Sequence, residues 1–220
     1  MVPFSFCSVE MCALPEGGLF HSASRSLLLA DLHLEKASSY ALRGQMLPPY
    51  DSIETLRRVA ALIERTGAVA LYCLGDSFHD RGAAGRLPDE ALGLLGLLTA
   101  KVCWTWIVGN HDLAMSDPLG GRIAALVELD GMILRHEADP REMRPEISGH
   151  YHPKYNVTLR GRRVSRPCFV AGRSKLILPS FGVLTGGMNA ADPAILRAVG
   201  ADARALIALQ EKLLDFPLAA

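Results

Sequence analysis

The sequence predicts an α/β sandwich, and three observations carry that expectation. Apolar strands alternate with amphipathic helices through the first half, and short strands and turns fill the second. Strand after strand also ends in a side chain able to bind metal. Of the 220 residues 50% are hydrophobic and 21% charged, enough apolar material for an ordinary core, and one domain over residues 1–220 is expected. The 23 basic side chains balance 23 acidic ones, so overall charge points to neither nucleic acid nor a membrane surface. Only a local basic face remains open.

Taken in order, residues 7–14 read as a strand, Pro15-Glu16-Gly17-Gly18 as a turn, and 19–22 as a return strand. Residues 26–30 form an apolar run of the kind buried on both faces. Pro48 and Pro49 stop the chain, and Asp51 or Ser52 can cap a helix to about Arg65. Ile53, Leu56, Val59, Ala60 and Ile63 keep helical spacing along it. Gly67 ends that helix, and 68–74 is the next strand. Residues 88–99 read as a helix with Pro88 in its first turn, and 102–107, rich in β-branched and aromatic residues, as a buried strand. Asp117 and Pro118 open a further helix. Strand-like pieces at 125–129 and 132–135 precede a polar loop at 137–144, and strands are expected at 156–159, 164–170 and 175–178. Residues 192–199 suit a helix, whereas 204–214 fit a strand pair as well as a helix.

The five cysteines, at 7, 12, 73, 103 and 168, form no Cys-x-x-Cys pair, which fits free thiols in a reducing compartment. Residues 1–10 lack the basic flank and apolar core of a signal peptide. The apolar stretch 91–108 is broken by Gly93, Gly96 and Lys101, so a helix and a strand are expected there and no membrane span. The expected location is the cytoplasm.

Ligating residues follow apolar strands at five places: Asp31/His33, Asp76, Asn110/His111, His136 and His150/His152. Loops at the carboxyl ends of strands in open α/β sheets converge on one pocket. Counting His79, six of the seven histidines lie in these loops, with His21 elsewhere. Carboxylates, an Asn carbonyl and imidazoles together suit Mn²⁺, Fe²⁺ or Zn²⁺ better than Ca²⁺ or Mg²⁺. Asp31, His33, Asp76, Asn110, His136, His150 and His152 are too many for one ion that must keep a position open. They match two ions sharing a carboxylate. On an extended segment the i, i+2 pairs Asp31/His33 and His150/His152 would each project to one side. Each motif alone reads as an ordinary turn; together they read as a metal centre.

In this order, Asp31-x-His33, Gly75-Asp76, Gly109-Asn110-His111-Asp112, His136 and Gly149-His150-x-His152 resemble the motifs of the calcineurin-like metallophosphoesterases. Residues 29–49 and 175–187 further resemble one bacterial branch, the ligase-associated DNA-damage-response, or PdeM-type, endonucleases. The resemblance implies a four-layer αββα sandwich of two mixed sheets flanked by helices. It also implies one ion held by Asp31, His33, Asp76 and His152 and a second by Asp76, Asn110, His136 and His150, with Asp76 shared. Manganese is the first expectation for both, with Fe²⁺ or Zn²⁺ as alternatives. The ions would lower the pKa of a bridging water to give hydroxide near neutral pH, while His111 acts on the departing oxygen. DNA, single-stranded or structured, is the implied substrate, and DNA-repair ligase, helicase and exonuclease proteins are the implied partners.

Two departures from the family pattern stand out. Relatives carry Gly-Asp-x-x-Asp-Arg-Gly, where the second Asp orients the catalytic histidine; here Gly75 to Gly82 contains one extra residue, leaving open whether His79 or Asp80 does so. Glu137 stands where a glycine often follows the fourth-motif histidine. Residues 154–175 carry Lys154, Arg160, Arg162, Arg163, Arg166, Arg173 and Lys175 and no acid, so they form either a basic rim for a nucleic-acid backbone or a solvated hairpin face. The alternative to a DNA phosphodiesterase is a small-molecule phosphoesterase acting on a nucleotide, a cyclic nucleotide or a lipid pyrophosphate. A non-enzymatic scaffold on the same fold, expected to have lost ligands, is the third class.

Overall fold

Two seven-stranded sheets pack face to face, and helices cover their outer sides. The computed structural model describes residues 1–112 and 119–218, apart from the side chain of Leu159; Asp117 and Pro118, expected to open a helix, lie outside them, but residues 119–124, which would continue it, form bends and a strand at Arg122–Ala124. The first sheet holds β1 (Val2–Phe6), β2 (Val9–Ala13), β3 (Leu19–His21), β4 (Ser26–Leu29), β5 (Ala70–Leu74), β6 (Cys103–Ile107) and β7 (Arg122–Ala124) in chain order. Strands β1 to β4 form an antiparallel meander, and β4 to β7 run parallel. Between them lie α1 (Lys36–Ala41), α2 (Asp51–Thr66) and α3 (Asp89–Lys101).

The chain continues through β8 (Val127–Leu129), β9 (Met132–Leu134), β10 (Glu146–Ser148), β11 (Pro153–Leu159), β12 (Arg162–Pro167), β13 (Phe169–Ala171) and β14 (Lys175–Ile177). Then come β15 (Met188–Asn189), α4 (Pro193–Val199), β16 (Arg204–Ala208) and β17 (Leu213–Pro217). The second sheet is mixed, in the order β17-β16-β13-β14-β10-β9-β8, while β12-β11-β15 form a small third sheet.

The period-2 alternation of strand side chains assigns each layer. On β4, Leu27 and Leu29 face α2 and α3, while Leu28 faces the second sheet. Trp104 and Trp106 of β6 join Leu56, Val59, Leu62 and Ile63 of α2 and Leu95 and Leu98 of α3 in the first core. Ile147, Phe169 and Leu176 fill the space between the sheets. Val170 and Ile177, on the other face of the second sheet, meet Ile195 and Val199 of α4. The layers therefore run helix, sheet, sheet, helix, as the motifs imply. Among the described residues no helix is long and apolar enough to cross a membrane, and the apolar stretch 91–108 resolves into α3 and β6. All five cysteines are free.

Several local expectations are corrected. The strand expected at 7–14 forms as β2 over Val9–Ala13, but Cys7 and Ser8 instead make the turn of a hairpin with β1, and their φ values of 49° and 66° give a left-handed turn without glycine or asparagine. Asp51 and Ser52 do not cap α2, whose N-cap Tyr50 makes no side-chain cap bond. Asp51 instead accepts from the Ala37 amide at 3.0 Å, and Ser52 accepts from the Glu35 amide at 2.7 Å, so both secure the start of α1. Pro88 lies just before α3 as its N-cap. The strand expected at 164–170 divides at Cys168 between two sheets, as β12 and β13. Residues 204–214 resolve as the strands β16 and β17. Lys175 leaves the proposed basic rim: it is buried, donates to the carbonyls of Asp139 (2.8 Å) and Glu142 (2.9 Å), and pairs with Glu146.

Candidate metal centre

The segments after β4, β5, β6, β9 and β10 meet where the two sheets come together. The Asp31 amide donates to Gly75 O and the His33 amide to Asp76 O, tying the first two segments; Gly149 N donates to His136 O, tying the last two. Phe181 N donates to Ala30 O, which joins one sheet to the loop following the other. These backbone bonds bring residues far apart in sequence into one cluster.

Close approach demands glycine at two points. A Cβ on Gly75 (φ 77°) would lie 2.3 Å from the His136 ring, and one on Gly109 would lie 2.2 Å from the Asp76 amide nitrogen. The candidate ligands are themselves unusual. Asp31 (φ 55°), His33 (45°), Asp76 (47°), His150 (72°) and His152 (48°) all adopt left-handed backbone conformations. Such conformations are costly for residues with a Cβ and concentrate at functional sites. The expectation of extended i, i+2 pairs is thus corrected. Asp31 and His33 do share a cluster, but His150 and His152 go to different ones.

Two groups of side chains emerge: Asp31, His33 and His152, and Asp76, His136 and His150. Within each, one ligating atom per residue lies within 4.8 Å of the others. His33 Nε2 is 3.2 Å from His152 Nε2, and Asp31 Oδ1 is 3.4 Å from the latter. His136 Nε2 lies 3.1 Å from His150 Nδ1 and 3.5 Å from Asp76 Oδ1. Asn110 Nδ2 is 3.4 Å from His150 Nδ1, so the asparagine borders the second group.

Asp76 stands between the groups. Its Oδ2 faces His33 Nε2 at 4.0 Å, whereas Oδ1 faces the second group and accepts from the His111 amide at 2.9 Å. The donor chemistry fits divalent cations. His136 Nδ1 lies 3.0 Å from Leu74 O, which can only accept, so Nδ1 carries the proton and Nε2 turns a lone pair toward Asp76 and His150. Carboxylate oxygens and imidazole lone pairs facing one another repel unless a cation lies between them. Burial, then the neighbouring His152, His79 and His111, push His33 down to about 2, and burial followed by His136 lowers His150. Neutral imidazole is the form that binds metal.

His111 is half-exposed and its Nε2 lies 3.8 Å from Asp76 Oδ2, at the open side of the cluster. The two candidates for orienting it differ in their contacts. Asp80 is occupied by Arg86 (2.7 Å) and the Gly82 amide (2.9 Å), and the Arg86 bond holds its carboxyl down at about 2. The His79 ring instead stacks on His111 with centroids 5.7 Å apart and planes 15° apart. Glu137 stands beside His150, its Oε1 3.8 Å from Nε2, and His136 is still delivered to the cluster. His21 takes no part: it is buried beside Ser24 (2.6 Å) and Asp130 (3.2 Å).

Asp112, to which the sequence assigned no role, is a buried carboxylate that accepts from the amides of Ser77 (3.1 Å), Phe78 (3.1 Å) and Gly109 (3.2 Å). It therefore joins the Asp76 loop to the Asn110–His111 loop. Burial raises its pKa, and the three N–H bonds act in the opposite sense. Its position directly after a ligating motif was the only signal available in the sequence.

The sequence model of the calcineurin-like phosphoesterase family matches residues 24–175. Among solved structures the chain is similar to the Pseudomonas putida nuclease MPE, at 29% identity over 96% of this chain and 98% of that one, with a TM-score of 0.75. The E. coli phosphoesterase Yfce aligns at 18% identity over 88% of this chain and 98% of that one, with a TM-score of 0.47. No curated protein is matched.

Proposed function

We propose, from the premise that this chain belongs to the calcineurin-like phosphoesterases and is a metal-dependent phosphoesterase, that it is an endonuclease cleaving DNA phosphodiester bonds. The observation that carries the two-ion reading is the Asp76 carboxylate, placed with one oxygen toward each ligand group. The DNA substrate is supported by the likeness to a nuclease along nearly the whole chain.

In this proposal Asp31, His33, Asp76 and His152 hold one ion and Asp76, Asn110, His136 and His150 the other. Two divalent ions, when bound, supply Lewis acidity that neutralises the phosphate and acidifies a shared water. Manganese suits the mixed oxygen and nitrogen set, as Fe²⁺ or Zn²⁺ would. His111, at the open side, meets the leaving oxygen and donates a proton or hydrogen bond to it. Its main chain is fixed by the bond to Asp76 Oδ1 and by the neighbouring Asp112. The repair setting, with ligase, helicase and exonuclease partners, belongs to the same proposal and rests on the branch resemblance of residues 29–49 and 175–187.

The test is hydrolysis with Mn²⁺ of single-stranded and structured DNA beside a panel of small phosphodiesters and nucleotides. Internal cleavage of DNA is the expected result. Turnover of small esters alone would replace the endonuclease with a small-molecule phosphoesterase.

The stacking of His79 on His111 supports His79 as the positioning residue. His79→Ala is expected to lower kcat roughly 10- to 100-fold with little change in KM, the scale of a misplaced catalytic group. Asp80→Asn is expected to change kcat by less than about 3-fold, because it loses a partly exposed ion pair that contributes little. The reverse ranking in steady-state kinetics would return the role to Asp80.

A further inference from the structure

The strand that leaves His152 runs directly into an unusual patch of charge. Strands β11 and β12 form a hairpin with Leu159 paired to Arg162, and Arg160 and Gly161 make its tip at φ 50° and 77°. Lys154, Arg160, Arg162, Arg163 and Arg166 all belong to it, and residues 153–167 contain no acid. Among the described residues none of these five cations makes an ion pair, and the three arginines of β12 are exposed. Like charges crowded on one ribbon repel, so the arrangement is unfavourable until an anion meets it. In a chain with no net charge, this is a local feature.

The base of the hairpin borders the candidate metal centre by two routes. Lys154 and Arg166 line a cleft of about 500 Å³ together with Phe181 and Gly182. Lys154 follows His152 by two residues, and the amides of Phe181 and Gly182 donate to the carbonyls of Ala30 and Asp31. Glu16, an acid in the same cleft, is bound by both guanidinium nitrogens of Arg65, at 2.7 and 2.8 Å. Seven strand residues at about 3.3 Å each extend the basic ribbon roughly 20 Å from His152.

We propose that this hairpin is the track for a single nucleic-acid strand whose next segment enters the metal centre. The inference rests on the nuclease reading above and adds the surface that holds the substrate outside the scissile phosphate. A single strand fits better than a duplex because four of the seven candidate ligands, Asp31, His33, Asp76 and His136, are buried, below the partly buried His150 and His152 and the exposed Asn110. A phosphate that follows the ribbon and then enters such a recess needs a flexible backbone. Double-stranded DNA, stiff over about 150 base pairs, resists that bend.

The experiment is equilibrium binding of a fluorescent single-stranded oligonucleotide in chelator, across roughly 50 to 200 mM salt. Wild type is compared with Arg162→Ala/Arg166→Ala, two exposed side chains on one face of β12, and with a control of equal charge change, Arg57→Ala/Lys101→Ala, after thermal melts establish that all three are folded. Each phosphate left without its cation removes about 0.7 from the log–log salt slope for a single strand, so the hairpin variant should bind more weakly with a slope shallower by about 1.4. The control should keep the wild-type slope. Equal slopes for wild type and hairpin variant, or no binding by wild type, would overturn the proposal. A duplex bound as tightly as the single strand would overturn the choice of strand. If the hairpin variant loses binding as expected but wild type with Mn²⁺ leaves the oligonucleotide intact, the nuclease reading fails and the nucleic-acid surface stands.

Discussion

Replacing Asp76 with alanine is expected to lower metal-dependent phosphodiester hydrolysis by roughly 10³-fold or more, beyond the loss that follows removal of a single oxyanion donor. The carboxylate faces both groups, with Oδ2 4.0 Å from His33 and Oδ1 3.5 Å from His136, so its loss removes a proposed ligand from each. It also removes the acceptor for the His111 amide, at 2.9 Å, and so loosens the loop that carries the proposed leaving-group residue. Metal content measured on the purified variant should fall together with kcat. A variant that keeps near-wild-type activity with metal still bound would eliminate a shared carboxylate as the basis of the centre.

Asp112→Ala is expected to act mainly on stability. Truncation leaves the amides of Ser77, Phe78 and Gly109 without their acceptor in a site where Asp112 is 3% exposed. At about 1–3 kcal/mol for each unsatisfied buried group, the loss is about 3 kcal/mol or more. For a chain of this length that corresponds to a fall in Tm of roughly 10 °C. Because the same carboxylate joins the Asp76 loop to the loop of Asn110 and His111, activity should also fall below the melting range. Asp112→Asn keeps one acceptor oxygen and should recover part of both. Thermal melts of the two variants check the ranking, and an alanine variant that melts with wild type would show that water replaces the carboxylate at no cost.

The layers of the sandwich were readable because burial on both faces leaves continuous apolar runs, and Leu27, Leu28 and Leu29 of β4 are such a run, divided between two cores. The loops of the centre were readable for a related reason: a ligand placed at a strand end is a polar residue directly after apolar ones. What escaped notice depends on backbone geometry or distant partners. Cys7 and Ser8 carry no marker of a left-handed turn, so the hairpin they close was missed. Asp31, His33, Asp76, His150 and His152 adopt conformations that the local sequence does not encourage, and the bonds crossing between loops hold them there.

Partner choice was equally hidden. Asp51 looked like a cap for its own helix but serves α1, because the Ala37 amide, 14 residues away in sequence, lies 3.0 Å from its carboxylate. Lys175 counted as part of a basic rim until its place opposite Glu146 became visible. His79 and Asp80 are adjacent in sequence, and nothing in the local sequence says that Asp80 pairs with Arg86 while the His79 ring faces His111. The candidate ligands could be inferred from composition at strand ends and their division into two groups from the family resemblance, whereas the left-handed backbone that presents them required coordinates.

In the proposed function the strand-end loops build one centre for two ions around Asp76. Anomalous diffraction from crystals grown with Mn²⁺ tests it most directly. Two peaks are expected, roughly 3.5–4 Å apart, one beside Asp31, His33 and His152 and the other beside Asn110, His136 and His150, with Asp76 between them. A single peak, or two peaks that do not share Asp76, would contradict it.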